Sequence, residues 1–308
     1  AGGHITADRT MQNDGIDYHI LNSITVGNGG GICRLTIEPG LTLNFDPGTQ
    51  LQFGIYIPYS HYDGELYAVG KSDSLITFKA YNDTPGGWEG IYFNDNSDWY
   101  GGISTMDYCI VEQGNEYNLS CEETTQPSID NSVFRNAVQY GIKEYNSSPQ
   151  IHNSQFLNNG SYPVYYTDWT CNSHLLGNTY SGNSPNQFAL SGGHYSDSRI
   201  LYNDGVDYLV LSDITVGKSG STSRLTVEPG NTLRFVSGTQ LQVGTYIPYS
   251  NYGGELHAVG NADSVITFMP DSDIQGDWEG IYFHDRSDYY NAVSALEYCK
   301  IEKGNAYN

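Results

Sequence analysis

Over much of the chain, apolar and polar residues alternate one by one. LTLNF (41–45), TQLQFG (49–54), GELYAVG (64–70), LITFKA (75–80) and GIYFND (90–95) each place an apolar residue at every second position. That is the period at which a β-strand buries one face. Tracts such as EPG, DPG, NDG and GN punctuate these runs and mark turns, because Gly, Pro, Asn and Asp supply the backbone angles that turns need. No twelve-residue window carries a convincing helical period. The pattern predicts many short strands and no helices.

The strand-like runs are themselves periodic. Their central apolar residues follow as Ile20, Leu43, Leu66, Ile91, Leu119, Ile142, Val164, Phe188, Val210, Leu233, Leu256 and Ile281, in steps of 22–28 residues. A parallel series runs through Leu51, Ile76, Met106, Ile129, Ile151 and Leu175. Short coils of this length, each holding two or three strands, predict a parallel β-helix. Each strand would pair with its equivalent one coil away, and stacked coils would share one core that no single coil can bury alone.

A longer period is laid over the short one. Sliding the chain by 190 positions aligns residues 1–118 with 191–308, and 67 of those 118 pairs are identical. GTQLQFGIYIPYS (48–60) meets GTQLQVGTYIPYS (238–250), and WEGIYF occurs at both 88–93 and 278–283. The first apolar series continues through the seam in phase. The expected organisation is therefore a first β-helix unit over 1–190 with eight coils, and a shortened second unit over 191–308 that continues it. SIDNSVFRN (128–136) and QIHNSQFLNN (150–159) share the form I-x-N-S-x-F-x-N. Its Ile and Phe are expected inward around a bend, with Asn131 and Asn153 stacked in a hydrogen-bonded ladder.

On the string LTIEPG, GTQLQFG, GELYAVG, ITF, WEGIYF and YCIVEQG, followed by I-x-N-S-x-F-x-N coils, the chain resembles secreted bacterial parallel β-helix proteins of the pectate-lyase-like superfamily. The resemblance covers the whole chain. It implies an all-β, right-handed, single-stranded parallel β-helix of about 12 coils, and an extracellular or cell-surface location. It does not choose a function, because lyases, epimerases, adhesins and fibre modules share this architecture.

Charge and composition narrow the field. Asp and Glu total 35 against 13 Lys and Arg, a formal net charge of −22. That argues against nucleic-acid and anionic-membrane partners, which need cationic surface. No run approaches the 18 or so apolar residues of a membrane-spanning helix. NDGIDY and NDGVDY make Asp14, Asp17, Asp204 and Asp207 candidate oxygen ligands for Ca²⁺, the one cofactor the sequence offers, although neither tract has a dedicated calcium-loop pattern. Arg, Lys and His are scattered, and no acid–base or nucleophile constellation is visible.

Five cysteines occur without metal-binding spacing. Cys109 and Cys121 are close enough in sequence to suggest a disulfide, in which case the repeat copy Cys299 lacks a mate within the chain. Tyrosine is abundant, at 27 residues. Tyr56, Tyr59 and Tyr62, with their copies Tyr246, Tyr249 and Tyr252, either stack on equivalents one coil away as part of the structure or form a candidate aromatic contact face, for sugar stacking or for lateral contact between rods. The second copy ends at Asn308 without a capping element, which suggests end-to-end self-association through open strand edges. The expected function is a non-catalytic structural repeat of an extracellular fibre, stalk or adhesin. The alternatives are a carbohydrate-binding β-helix and a polysaccharide lyase or hydrolase.

Overall fold

The computed structural model describes residues 2–57, 60–95, 97–123 and 125–305; for 56, 57 and 60 the description is confined to the backbone. All regular structure among these residues is β, and the chain divides into two compact units. Unit 1 holds the described residues up to Tyr165 together with Ser173–Asn186, and unit 2 holds Tyr166–Asn172 with the described residues from Gln187 onward.

Unit 1 winds over three faces. The first carries Gly3–Ile5, Ile24–Val26, Leu51–Phe53, Ile91–Phe93, Tyr117–Glu122 and Tyr140–Tyr145, each hydrogen-bonded in parallel to the next. The second runs from Arg9–Met11 through Cys33–Ile37, Gly64–Val69, Thr105–Asp107, Ser128–Asp130 and Gln150–His152 to His174–Leu176. The third runs from Tyr18–Ile20 through Thr42–Phe45, Ile76–Ala80, Cys109–Glu112, Val133–Arg135 and Gln155–Leu157 to Thr179–Ser181. Strand n pairs with its equivalent one turn later on every face, so unit 1 is a parallel β-helix. Unit 2 repeats the winding, with Gly193–Tyr195, Ile214–Val216, Gln240–Val243 and Gly280–Phe283 along the face that matches the first face of unit 1.

The second and third faces of unit 1 are each seven strands deep, and turn length is uneven. Ile129 meets Ile151 after 22 residues, but Leu51 meets Ile91 only after 40. The series of nearly constant steps therefore slips between faces: Ile20 and Leu43 lie on the third face, Leu66 on the second and Ile91 on the first.

Alternate residues of each strand fill the interior. Ile129 and Ile151 stack in register, and Phe134, Phe156 and Tyr180 stack with centroid distances of 5.4 and 5.2 Å. Phe45 lies on Trp88 at 4.3 Å, and the copies Phe235 and Trp278 repeat this at 4.4 Å. Both indoles donate to a backbone carbonyl 2.8 Å away, Glu112 and Glu302 respectively.

A buried polar ladder is present, but not at the predicted residues. Asn131 and Asn153 have φ of 46° and 50° and form left-handed bends, a place taken by Gly177 one turn later; Asn tolerates this conformation better than most residues. The next residue turns inward. Cys109 N–H donates to Ser132 Oγ, Ser132 N–H to Ser154 Oγ, and Ser154 N–H to Asn178 Oδ1, at 3.1, 3.1 and 2.8 Å. A second ladder joins Asn118, Asn159 and Asn183 through their amides at 3.3 and 2.9 Å.

Candidate functional site

Two insertions account for the long turns, and both carry exposed aromatic rings. In unit 1 the first insertion is a hairpin: Ile55–Ile57 pairs antiparallel with Ser60–Tyr62 before the chain re-enters the helix at Gly64–Val69. The second is the loop over 94–104, one layer on. The copies in unit 2 are the hairpin of Thr245–Ile247 with the start of Ser250–Val259, and the loop over 284–294. Loops held on a rigid scaffold are where binding residues concentrate, since the wound core does not need them.

In unit 1 the two insertions meet. The His61 ring of the hairpin stacks on Trp99 of the loop at 3.5 Å and 8°, and Trp99 stays 56% exposed. Tyr100 beside it is also exposed. Beneath them Asp63 is fully buried and accepts the Tyr100 N–H at 2.6 Å, pinning the loop to the hairpin base. The amide of Gly102 also faces this carboxyl without completing a hydrogen bond to Oδ1. Burial, with the nearby Glu65 carboxylate, raises the Asp63 pKa to about 6 against the pull of the Tyr100 amide. Asp98 is likewise raised to about 6, by burial and then by the charges of Asp63 and Asp95. Glu65 is held by Arg34 at 3.0 Å.

Unit 2 builds the same projection with different chemistry. Gly253 replaces Asp63, and the loop is held instead by Gly254 N–H to the Ser287 carbonyl at 3.2 Å. Tyr290 closes over Gly253, within 3.0 Å of where a β-carbon would stand. The Arg286 guanidinium lies 5.9 Å from the Tyr246 centroid and 5.7 Å from that of Tyr289. Tyr246, Tyr289 and Tyr290 are exposed, and Tyr249 at the hairpin tip is completely so.

The predicted aromatic face is thus partly assembled. Tyr59 and the side chain of Tyr56 lie outside the described residues. Tyr246 and Tyr249 are on the surface, whereas Tyr62 and Tyr252 turn back onto the helix. Tyr62 packs over Gly29 and 5.9 Å from His4, and Tyr252 lies 5.0 Å from His194. Trp99, Tyr100, Tyr289 and Tyr290 were not predicted as contact residues. Their signal lies in the tracts NDNSDWY (94–100) and HDRSDYY (284–290), where two adjacent rings follow paired aspartates at equivalent positions of the repeat.

The calcium candidates are separated by role. Asp14 and Asp17 are exposed on one turn, and in unit 2 Asp207 accepts Arg234 Nε at 2.6 Å. The turn itself is closed by Asn13 and Asn203, whose side-chain oxygens accept the N–H of Gly15 and Gly205. Among the described residues, no group of three or more His, Cys, Asp or Glu side chains is gathered as a metal site. The expected Cys109–Cys121 disulfide is absent. Cys109 lies on the third face and Cys121 on the first, and none of the five cysteines is in a disulfide. Among the described residues, no helix is long and apolar enough to cross a membrane.

Comparison with known proteins agrees on architecture. The family model described as a right-handed β-helix region matches residues 66–195, so the winding is that of a right-handed parallel β-helix. No match was found among curated proteins or among solved structures.

Proposed function

We propose that this chain is a non-catalytic β-helix repeat of an extracellular fibre, stalk or surface adhesin, and that its hairpin-and-loop arms bind polysaccharide by stacking sugar rings on exposed aromatics. The observation that carries this reading is the duplicated cluster: His61, Trp99 and Tyr100 in unit 1 and Tyr246, Tyr249, Tyr289 and Tyr290 in unit 2 occupy the same pair of insertions. Rings left in water at equivalent places, on segments the core does not need, suit a ligand that offers apolar sugar faces.

The Asp63 carboxyl beneath the first arm is placed to hold the loop rather than for turnover. Asp63 is fully buried and faces backbone amides, so it cannot reach a glycosidic oxygen as a general acid must. Gly253 in the second copy removes it altogether. The net charge of −22 and the 190-residue repetition fit a soluble surface array. Self-association, lateral or end to end, belongs to the same reading.

The test is affinity electrophoresis of the chain through gels containing neutral and acidic polysaccharides, paired with an assay for released reducing ends and unsaturated products. Retardation without product supports the proposal. Product formation on any of the polymers overturns it in favour of a lyase or hydrolase.

A further inference from the structure

The outer side of the second face of unit 1 carries two histidines on neighbouring layers. In Ser128–Asp130, Gln150–His152 and His174–Leu176 the middle residue, Ile129, Ile151 or Leu175, is buried in the core. The flanking residues therefore point outward, away from the wound interior. Gln150 stands directly opposite His174 in the ladder, and Asp130 directly opposite His152. His152 is 23% exposed, and Gln150 and His174 are half-buried, so a small solute reaches all three.

The three side chains converge on one point. His152 Nε2 is 3.1 Å from His174 Nδ1, and Gln150 Oε1 is 3.1 Å from the same Nδ1. The two rings meet edge to face at 84°, with centroids 4.8 Å apart, so nitrogens and not ring faces make the contact. A neutral ring nitrogen holds either one proton or one lone pair. Nδ1 of His174 therefore serves only one of these two neighbours well at a time. A metal ion would take the lone pairs of both nitrogens and the amide oxygen together. Two imidazole nitrogens on one ion, each about 2.0–2.1 Å from it, stand about 2.9–3.4 Å apart for angles of about 90° to 109°. The separation of 3.1 Å lies inside that range.

The surroundings suit a cation. Asp130 Oδ1 is 3.8 Å from Nδ1 of His152, the nitrogen that faces away from His174. A carboxylate there favours the proton on Nδ1 and leaves the lone pair on Nε2. Asp107 continues the acidic column one layer further, opposite Asp130, with its Oδ1 accepting from Asn131 Nδ2 at 2.9 Å. We propose that His152 Nε2, His174 Nδ1 and Gln150 Oε1 bind one divalent transition-metal ion of the zinc or copper class. Imidazole donors select such an ion over Ca²⁺ and Mg²⁺, which take oxygen ligands. Water completes its coordination. The two histidines are 22 residues apart and on successive layers, so the bound ion ties one layer to the next. None of the aromatic-arm residues takes part, and the site stands or falls independently of the function proposed above.

The full chain is titrated calorimetrically with zinc chloride, with calcium chloride as the control. Saturable one-site binding of zinc is expected, with none of calcium at the same concentrations. His152→Asn and His174→Asn should each weaken zinc binding about ten-fold or more. Both positions lie on the outer side of the strand, so the variants should keep the far-ultraviolet circular dichroism of the parent chain. Zinc should raise the thermal unfolding midpoint of the parent chain and leave that of the His152→Asn/His174→Asn double variant unchanged. Binding should weaken as pH falls through about 6.5, where imidazole takes up a proton and loses its lone pair. Absence of zinc binding to the parent chain, or binding that both single variants keep undiminished, overturns the proposal.

Discussion

At the scale of single residues, the bends of the helix separate two jobs that the sequence writes side by side. In the pairs Asn131–Ser132 and Asn153–Ser154, the asparagine takes the left-handed bend and the serine enters the ladder. The tract I-x-N-S-x-F announced a bend and an inward polar group at a 22-residue spacing, but not which of the two residues turned inward. That depends on the φ of the first. Asn159 is the middle member of the other ladder: it accepts from the Ala137 amide and Asn118, and donates to Asn183 and the Phe134 carbonyl. Asn159→Ala strands several buried groups at once, and should lower the unfolding free energy by about 3 kcal/mol. Asn131→Gly, at an exposed left-handed position, should change it by no more than about 0.5 kcal/mol. Denaturant midpoints of the two variants check the contrast.

Asp63 and Asp98 set a pH response at the same scale. Both have folded-state pKa values of about 6, above the unfolded carboxylate value of about 3.9. Folding therefore takes up protons between these values. The docked loop over 97–104 is most stable below about pH 4 and loses stability as pH rises through about 6. Hydrogen exchange of the Tyr100 amide, corrected for its intrinsic rate, should be slower at about pH 5 than at about pH 7.5. Asp63→Asn should reduce that difference, and an unaltered difference would remove Asp63 as its source.

At the scale of elements, the regular layers were readable and the insertions were not. Period-two alternation marks strands whatever face they occupy, so the all-β winding followed from pattern alone. Face assignment requires knowing how long each turn is, and the hairpin at 55–62 lies in the turn that takes 40 residues from Leu51 to Ile91, while the loop at 94–104 lies in the one that takes 38 from Ala68 to Met106. The disulfide expectation failed for a related reason. In a three-faced coil, residues stacked on adjacent layers are separated by a whole turn, as Phe134 and Phe156 are by 22 residues. The 12 residues between Cys109 and Cys121 carry the chain to a different face instead. The arms are predicted to be separable from the core. Trp99→Ala and Tyr289→Ala remove exposed rings that lie outside the wound core, so each should leave the unfolding midpoint within experimental error. Each ring contributes on the order of 1 kcal/mol to glycan stacking, about five-fold in affinity.

At the scale of the whole molecule, charge governs association. A chain at −22, with an isoelectric point near 4.4, repels its own copies at neutral pH and low salt. Added salt screens that repulsion over roughly 10 Å at about 0.1 M. Sedimentation coefficients should therefore rise with salt, or as pH is lowered toward the isoelectric point, if copies associate as the proposed fibre role requires. A coefficient independent of both would confine the role to single molecules.

The central claim is that the paired insertions, and not the wound body, make the polysaccharide contacts of this protein. Its most direct test is migration of the Trp99→Ala/Tyr289→Ala double variant through whichever polysaccharide gel retards the parent chain, with far-ultraviolet circular dichroism as the control for folding. The arms account predicts that the retardation is largely lost while the β spectrum is kept. Undiminished retardation of a correctly folded double variant would contradict it.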